Sequence, residues 1–68
     1  MAVAVRIPEL AVVEFTHDVG GHPAGAVGVV VSAYPEDDAY TVELVDAAGR
    51  TVDLVPTRGE DLRVTRIV

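Results

Sequence analysis

The sequence predicts an all-β fold, a small barrel of five to six short antiparallel strands with one 3₁₀-type turn. Three observations lead there. Apolar residues come in short runs that alternate with polar ones. Turns rich in Gly, Pro and Asp separate these runs at regular intervals, and no stretch carries the apolar stripe of a helix. At 68 residues the chain is read as one domain, 1–68. A chain of that size buries only about 60% of the surface its unfolded form exposes. Half the residues are apolar, mostly Val and Ala, with one Phe, two Tyr and no Trp. Such a core is thin and made of branched side chains that suit strands.

Residues 3–7 (VAVRI) read as a short first strand or an extended lead-in, and Pro8, lacking an N–H, makes IPEL a bend. Ala11–Thr16 is the next strand, with Val13 and Phe15 alternating inward. His17–Gly25 (HDVGGHPAG) holds Gly-Gly and His-Pro and is too long for a tight hairpin, so it reads as an exposed, mobile loop. Ala26–Tyr34 is a strand whose Val29-Val30-Val31 run is apolar on both faces, the mark of a central strand. Its internal Gly28 signals a bulge, a bend or the close approach of another backbone. Pro35–Asp38 is a turn with a solvated acidic tip. Ala39–Asp46 alternates, with Tyr40, Val42 and Leu44 on one face and Thr41, Glu43 and Val45 on the other. Asp46–Arg50 turns at Gly49. Thr51–Val55 is expected to put Val52 and Leu54 inward and Asp53 outward and to end at Pro56. Thr57–Asp61 reads as the 3₁₀-type connector and Leu62–Val68 as the closing strand. A long loop, three meandering strands, a one-turn connector and a last short strand are the layout of an SH3-like barrel.

Composition excludes more than it assigns. There is no Cys, hence no disulfide, which together with the absence of a signal-type segment leads us to expect a cytoplasmic protein. No run of residues is long and apolar enough to suggest a membrane span. Net charge is −6, Arg is the only basic type, and residues 1–49 carry eight acids against Arg6 alone. An acidic chain is poorly matched to phosphate backbones and better matched to a basic protein partner.

Beyond the loops, little suggests chemistry. His17, Asp18 and His22 are the one cluster with metal-ligand character, suited to Zn²⁺ or Ni²⁺ with an open position. Nothing nearby in sequence orients the rings, so exposed loop histidines and a turn-capping Asp18 are the plainer reading. Glu43 is read as the acid of a cross-strand pair with Arg63 or Arg66 on the outer face. Glu36-Asp37-Asp38 lacks the ligand spacing of a calcium loop, and Gly25-x-x-Gly28 opens a strand rather than a phosphate-binding helix. Ser32 lies within a strand with no base beside it, so no catalysis and no cofactor are expected.

A set of residues also carries a family resemblance: Glu9-Leu10, Val12-Val13, Thr16 and Asp18, then Gly25-Ala-Val-Gly28 leading to Val30-Val31 and Tyr34. Tyr40-Thr-Val-Glu-Leu-Val-Asp46, Gly49, Thr51 and Asp61-Leu-Arg63 complete it. On these the chain resembles the short bacterial proteins of domain-of-unknown-function family 4926, departing at Leu44, where Phe is commoner. The resemblance implies a small SH3-like barrel with no assigned activity and, for some members, an accessory or antitoxin/immunity-like role. The expected function is thus a protein-interaction module whose partner is a protein, for instance a neighbouring gene product. The candidate partner-binding residues are His17, Asp18, His22, Tyr34, Glu36, Asp37, Asp38 and Tyr40, with His17 and His22 the metal candidates. The alternative is a Tudor- or KOW-like nucleic-acid module using Arg58, Arg63 and Arg66. Exposed strand edges suggest edge-to-edge homodimers.

Overall fold

A computed structural model describes residues 6–67. Five strands form one antiparallel sheet: β1 (Val12–Phe15), β2 (Val27–Tyr34), β3 (Ala39–Val45), β4 (Thr51–Arg58) and β5 (Leu62–Arg66), in the spatial order β4-β3-β2-β1-β5. The described residues hold no α-helix. Pro35–Asp37 and Gly59–Asp61 each make a single 3₁₀ turn. The fold is therefore all-β, and the meander with a 3₁₀ turn before the last strand is the arrangement expected of an SH3-like barrel. No helix among the described residues is long and apolar enough to cross a membrane.

Alternation builds the core. Val13 and Phe15 of β1, Val30 of β2, Tyr40, Val42 and Leu44 of β3, Val55 of β4 and Leu62 of β5 converge with Ile7 and Ala11. Residues 3–5 of the expected first strand lie outside the described residues. Arg6 and Ile7 are not in a strand, yet Ile7 is buried and its N–H donates to the Tyr40 hydroxyl at 3.4 Å. β2 is indeed central, and of the three readings of Gly28 the close approach is the one realised. A Cβ there would lie 2.6 Å from the Glu43 carbonyl oxygen and 2.6 Å from Val42 Cγ1. The irregularity in β2 falls between Val30 and Ser32 instead.

The strand β4 corrects two expectations. It does not end at Pro56 but continues to Arg58, and its inward residues are Val55 and Thr57, while Val52 and Leu54 are exposed. Pairing with β3 sets this phase, with Val42 opposite Val55 and Tyr40 opposite Thr57. The even-numbered residues of β4 then turn their N–H groups away from β3. The Leu54 N–H is taken by the Asp53 carboxylate at 2.9 Å and the Arg58 N–H by the Asp61 carboxylate at 2.8 Å. Pro56 falls in the same phase, where it removes no ladder bond.

Candidate functional site

The long loop begins where β1 leaves the sheet. The Thr16 N–H bonds the Asp61 carbonyl at 2.9 Å and its hydroxyl donates to the Glu60 carbonyl at 2.7 Å. His17 Nε2 then lies 2.5 Å from the Asp61 carboxylate. Within the loop, Val19 and His22 exchange backbone hydrogen bonds around Gly20-Gly21. Asp18 accepts from the Ala24 N–H at 3.0 Å, which is the turn-capping role expected of it. His22 Nε2 sits 2.8 Å from the Asp53 carboxylate on β4. Its neighbour Gly20 lies so close to Val55 that a Cβ would meet the valine's Cγ1 at 3.0 Å. The loop is thus not a free excursion. On its way from β1 to β2 it reaches β4, and histidine–aspartate pairs pin it at its start and past its middle.

Both aspartates show the effect. Hydrogen bonds from His22 and the Leu54 N–H hold the Asp53 carboxyl below the usual carboxylate range. For Asp61, burial pushes the carboxyl up, but the Arg58 N–H and His17 outweigh it and leave it lowered. The two rings reach different carboxylates, Asp61 on the 3₁₀ connector and Asp53 on β4, so the structure does not bring His17, Asp18 and His22 together. Among the described residues no group of three His, Cys, Asp or Glu is placed to hold a metal ion.

The second candidate segment is the acidic tip. Pro35 starts its 3₁₀ turn, and Asp38 closes it in the left-handed region at φ 51°. Asp38 then reaches the connector, accepting from the Gly59 N–H at 3.1 Å and facing the Arg58 guanidinium at 3.9 Å. Glu36 and Asp37 are exposed and carry no ion pair among the described residues, and Tyr34 beside them is 55% exposed. Tyr40, by contrast, offers nothing to a partner. It is 2% exposed and part of the core, its ring drawn inward by the same alternation that buries Val42 and Leu44.

One short element therefore joins the two candidate segments. Gly59–Asp61 holds the start of the long loop through Asp61 and Glu60, and the acidic tip through Gly59. The connector is legible in the sequence, but its role as an anchor is not. The capping pattern of an acid three residues after Arg58 was the available signal. For Asp53 there was none, since its partner His22 is distant in the chain.

The arginines do not assemble into one basic end. Arg58 faces Asp38, Arg63 is ion-paired with Glu14, and Arg66 alone of the three has no carboxylate partner among the described residues. Glu43 is on the outer face, as expected, but makes no pair with Arg63 or Arg66. It accepts instead from the Thr51 hydroxyl at 2.9 Å. β1 and β2 separate its strand from β5, about 14 Å across the sheet. An open cleft of about 390 Å³ lies beside β1 and the end of the long loop, lined by Phe15, Thr16, Ala24, Gly25 and the Glu14–Arg63 pair.

Fold and site together define a small all-β barrel with an acidic, connector-anchored end. Residues 9–64 match the family described as "Domain of unknown function (DUF4926)", and the chain belongs to that family. No curated protein and no solved structure matches it.

Proposed function

We propose that the protein is a non-catalytic interaction module that binds a basic protein segment with the end of the barrel formed by the long loop, the acidic tip and the Gly59–Asp61 connector. The observation that supports this reading most directly is the tethering of both segments to one connector. Loops that carry recognition work best when a rigid scaffold fixes them. Here Asp61 and Asp38 fix the backbones, leaving the Glu36, Asp37 and Glu60 side chains exposed and without ion pairs among the described residues. Tyr34 adds an exposed ring beside them, large and of low conformational entropy. Carboxylates around an aromatic are a surface for Arg or Lys side chains. We further take the protein to act in the cytoplasm, as the absence of Cys suggests.

A tagged pull-down with wild type and a Glu36→Lys/Asp37→Lys/Glu60→Lys variant tests this. Wild type should recover a basic partner that the variant loses, and added salt should weaken the capture. Recovery of the same partner by both proteins overturns the reading, and so does a wild-type pull-down that returns only the bait.

A further inference from the structure

The outer face of the sheet is more apolar than a solvated face should be. An antiparallel sheet with one side in water alternates apolar-in with polar-out. Here the outward positions include Val12, Val27, Val29, Val45, Val52 and Leu54. Val27, Val52 and Leu54 are each at least half exposed. One row crosses all five strands, reading Leu54, Glu43, Val29, Val12 and Arg66 in successive pairs. Its two charges flank two valines. Neither has an opposite charge within the described chain, although Arg63 of the same face is satisfied by Glu14.

We propose that this face is the interface of a homodimer in which two copies pack sheet on sheet, with Glu43 of each copy meeting Arg66 of the other. Within the row, the stretch Glu43, Val29, Val12 and Arg66 is self-complementary about its centre, with Leu54 lying beyond it. A two-fold axis running along the strands, between β1 and β2, superposes Glu43 of one copy on Arg66 of the second. It also places Val29 of one copy over Val12 of the second. Both charge pairs form at once, as an isologous interface requires, and the strands of the two sheets stay near-aligned, the ordinary way for sheets to stack. The apolar row between the charges loses its water, and the Glu14–Arg63 pair forms part of the rim.

A second copy fits this face better than it fits the sheet edge. On β4 the outward donors are largely used up: Leu54 N–H by Asp53, Arg58 N–H by Asp61, and none at Pro56. That is how natural sheets blunt an edge against pairing. The face is also separate from the acidic end described above, so dimerisation and partner binding do not compete for residues. The axis overlaps β3, β2, β1 and β5 and leaves β4 outside. Four strands by about five residues give roughly 300 Å² in projection, small beside the ~800 Å² per partner of a standard interface. The dimer is therefore weak, with a dissociation constant in the micromolar range.

Sedimentation velocity from about 5 µM to about 500 µM reads this directly, bracketing the affinity such an area supports. Wild type should shift from monomer to dimer over that range. Glu43→Arg and Arg66→Glu each set like charges against each other and should weaken association by about 10-fold or more. The double reversal Glu43→Arg/Arg66→Glu restores opposite charges in both pairs and should recover most of the affinity. Both positions are on the surface, and circular dichroism verifies that each variant is folded. A wild-type monomer at every concentration overturns the proposal, as does a dimer indifferent to both single reversals. Removal of residues 1–5 supplies a further arm. If wild type is monomeric and the shortened chain dimerises, the face is covered by the chain's own start rather than by a second copy.

Discussion

Gly28 is the position where one added methyl group should cost the most. It lies in β2 opposite Leu44, and a Cβ on it would come within 2.6 Å of the Glu43 carbonyl oxygen, 2.6 Å of Val42 Cγ1 and 3.1 Å of Leu44 Cδ2. The valine and leucine contacts could relax by rotation. The carbonyl belongs to the backbone of β3, paired with β2 on one side and β4 on the other, so it can yield only if the central sheet opens. Overpacking of this kind costs about 1–3 kcal/mol, and an immovable neighbour favours the upper half of that range. Replacing Gly with Ala in a strand otherwise stabilises by ~0.5–1 kcal/mol through the unfolded chain. The net for Gly28→Ala is a loss of about 2 kcal/mol. A domain of this length has a total stability of about 3–10 kcal/mol, and 2 kcal/mol corresponds to a fall in Tm of about 8–16 °C. Thermal melts by circular dichroism measure it, with Gly21→Ala as the comparison. Gly21 also disfavours a side chain, at φ +84°, but has nothing within 4 Å of its would-be Cβ. Its cost is conformational only, near 1 kcal/mol. If Gly28→Ala melts within about 2 °C of wild type, or above Gly21→Ala, the close approach of β3 does not govern this strand.

Three further outcomes follow from the same geometry. Thr57 is buried and its hydroxyl donates to the Tyr40 carbonyl at 3.0 Å, so Thr57→Val should cost about 1 kcal/mol; a variant as stable as wild type in urea would show that this bond contributes nothing. Asp53 and Asp61 have lowered carboxyl pKa values in the folded state. The stability they supply is fully present above the unfolded value of about 3.9 and is lost as pH falls through the lowered folded values. Urea midpoints should drop below about pH 4, and Asp61→Asn should flatten that acid limb while lowering stability at neutral pH; an acid limb identical in Asp61→Asn would refute the assignment. Leu10 is exposed and held at φ 72°, a region that disfavours a Cβ, so Leu10→Gly should be neutral or gain up to about 1 kcal/mol by calorimetry. A loss of more than about 1 kcal/mol would mean instead that its side chain packs.

What could be read in the sequence was whatever lies within one strand or one turn. Val13 and Phe15, then Tyr40, Val42 and Leu44, announce their buried face by alternation alone, and Thr57–Asp61 announces a tight connector, of which Gly59–Asp61 makes the turn while Thr57 and Arg58 belong to β4. What could not be read depends on partners distant in the chain. His22 finds Asp53 and His17 finds Asp61 only after the sheet has formed, so a loop that reads as mobile is in fact tethered at two points. The expected Glu43–Arg66 pair does not form within the chain for the complementary reason. Both residues are on the outer face and on one row, but whether they touch depends on strand order, and the meander inserts two strands between them.

The error on β4 is the most informative, because its cause is physical. Val52 and Leu54 read as inward because they are the apolar members of an alternating run, and Asp53 as outward because it is charged. Register with β3 puts Val55 and Thr57 inward instead, which exposes Val52 and Leu54. Shifting β4 by one residue would bury those two and expose Val55, moving every side chain to the other face. The observed register keeps Val55 against the loop at Gly20, keeps Thr57 bonded to Tyr40, and leaves Pro56 with no ladder bond to break. Three local requirements thus outweigh two exposed aliphatic side chains. A second copy placed about an axis between β1 and β2 covers the valines of those two strands and leaves Val52 and Leu54 outside the overlap. For a core this thin, a second copy of the same sheet would add buried apolar area that the chain cannot provide alone.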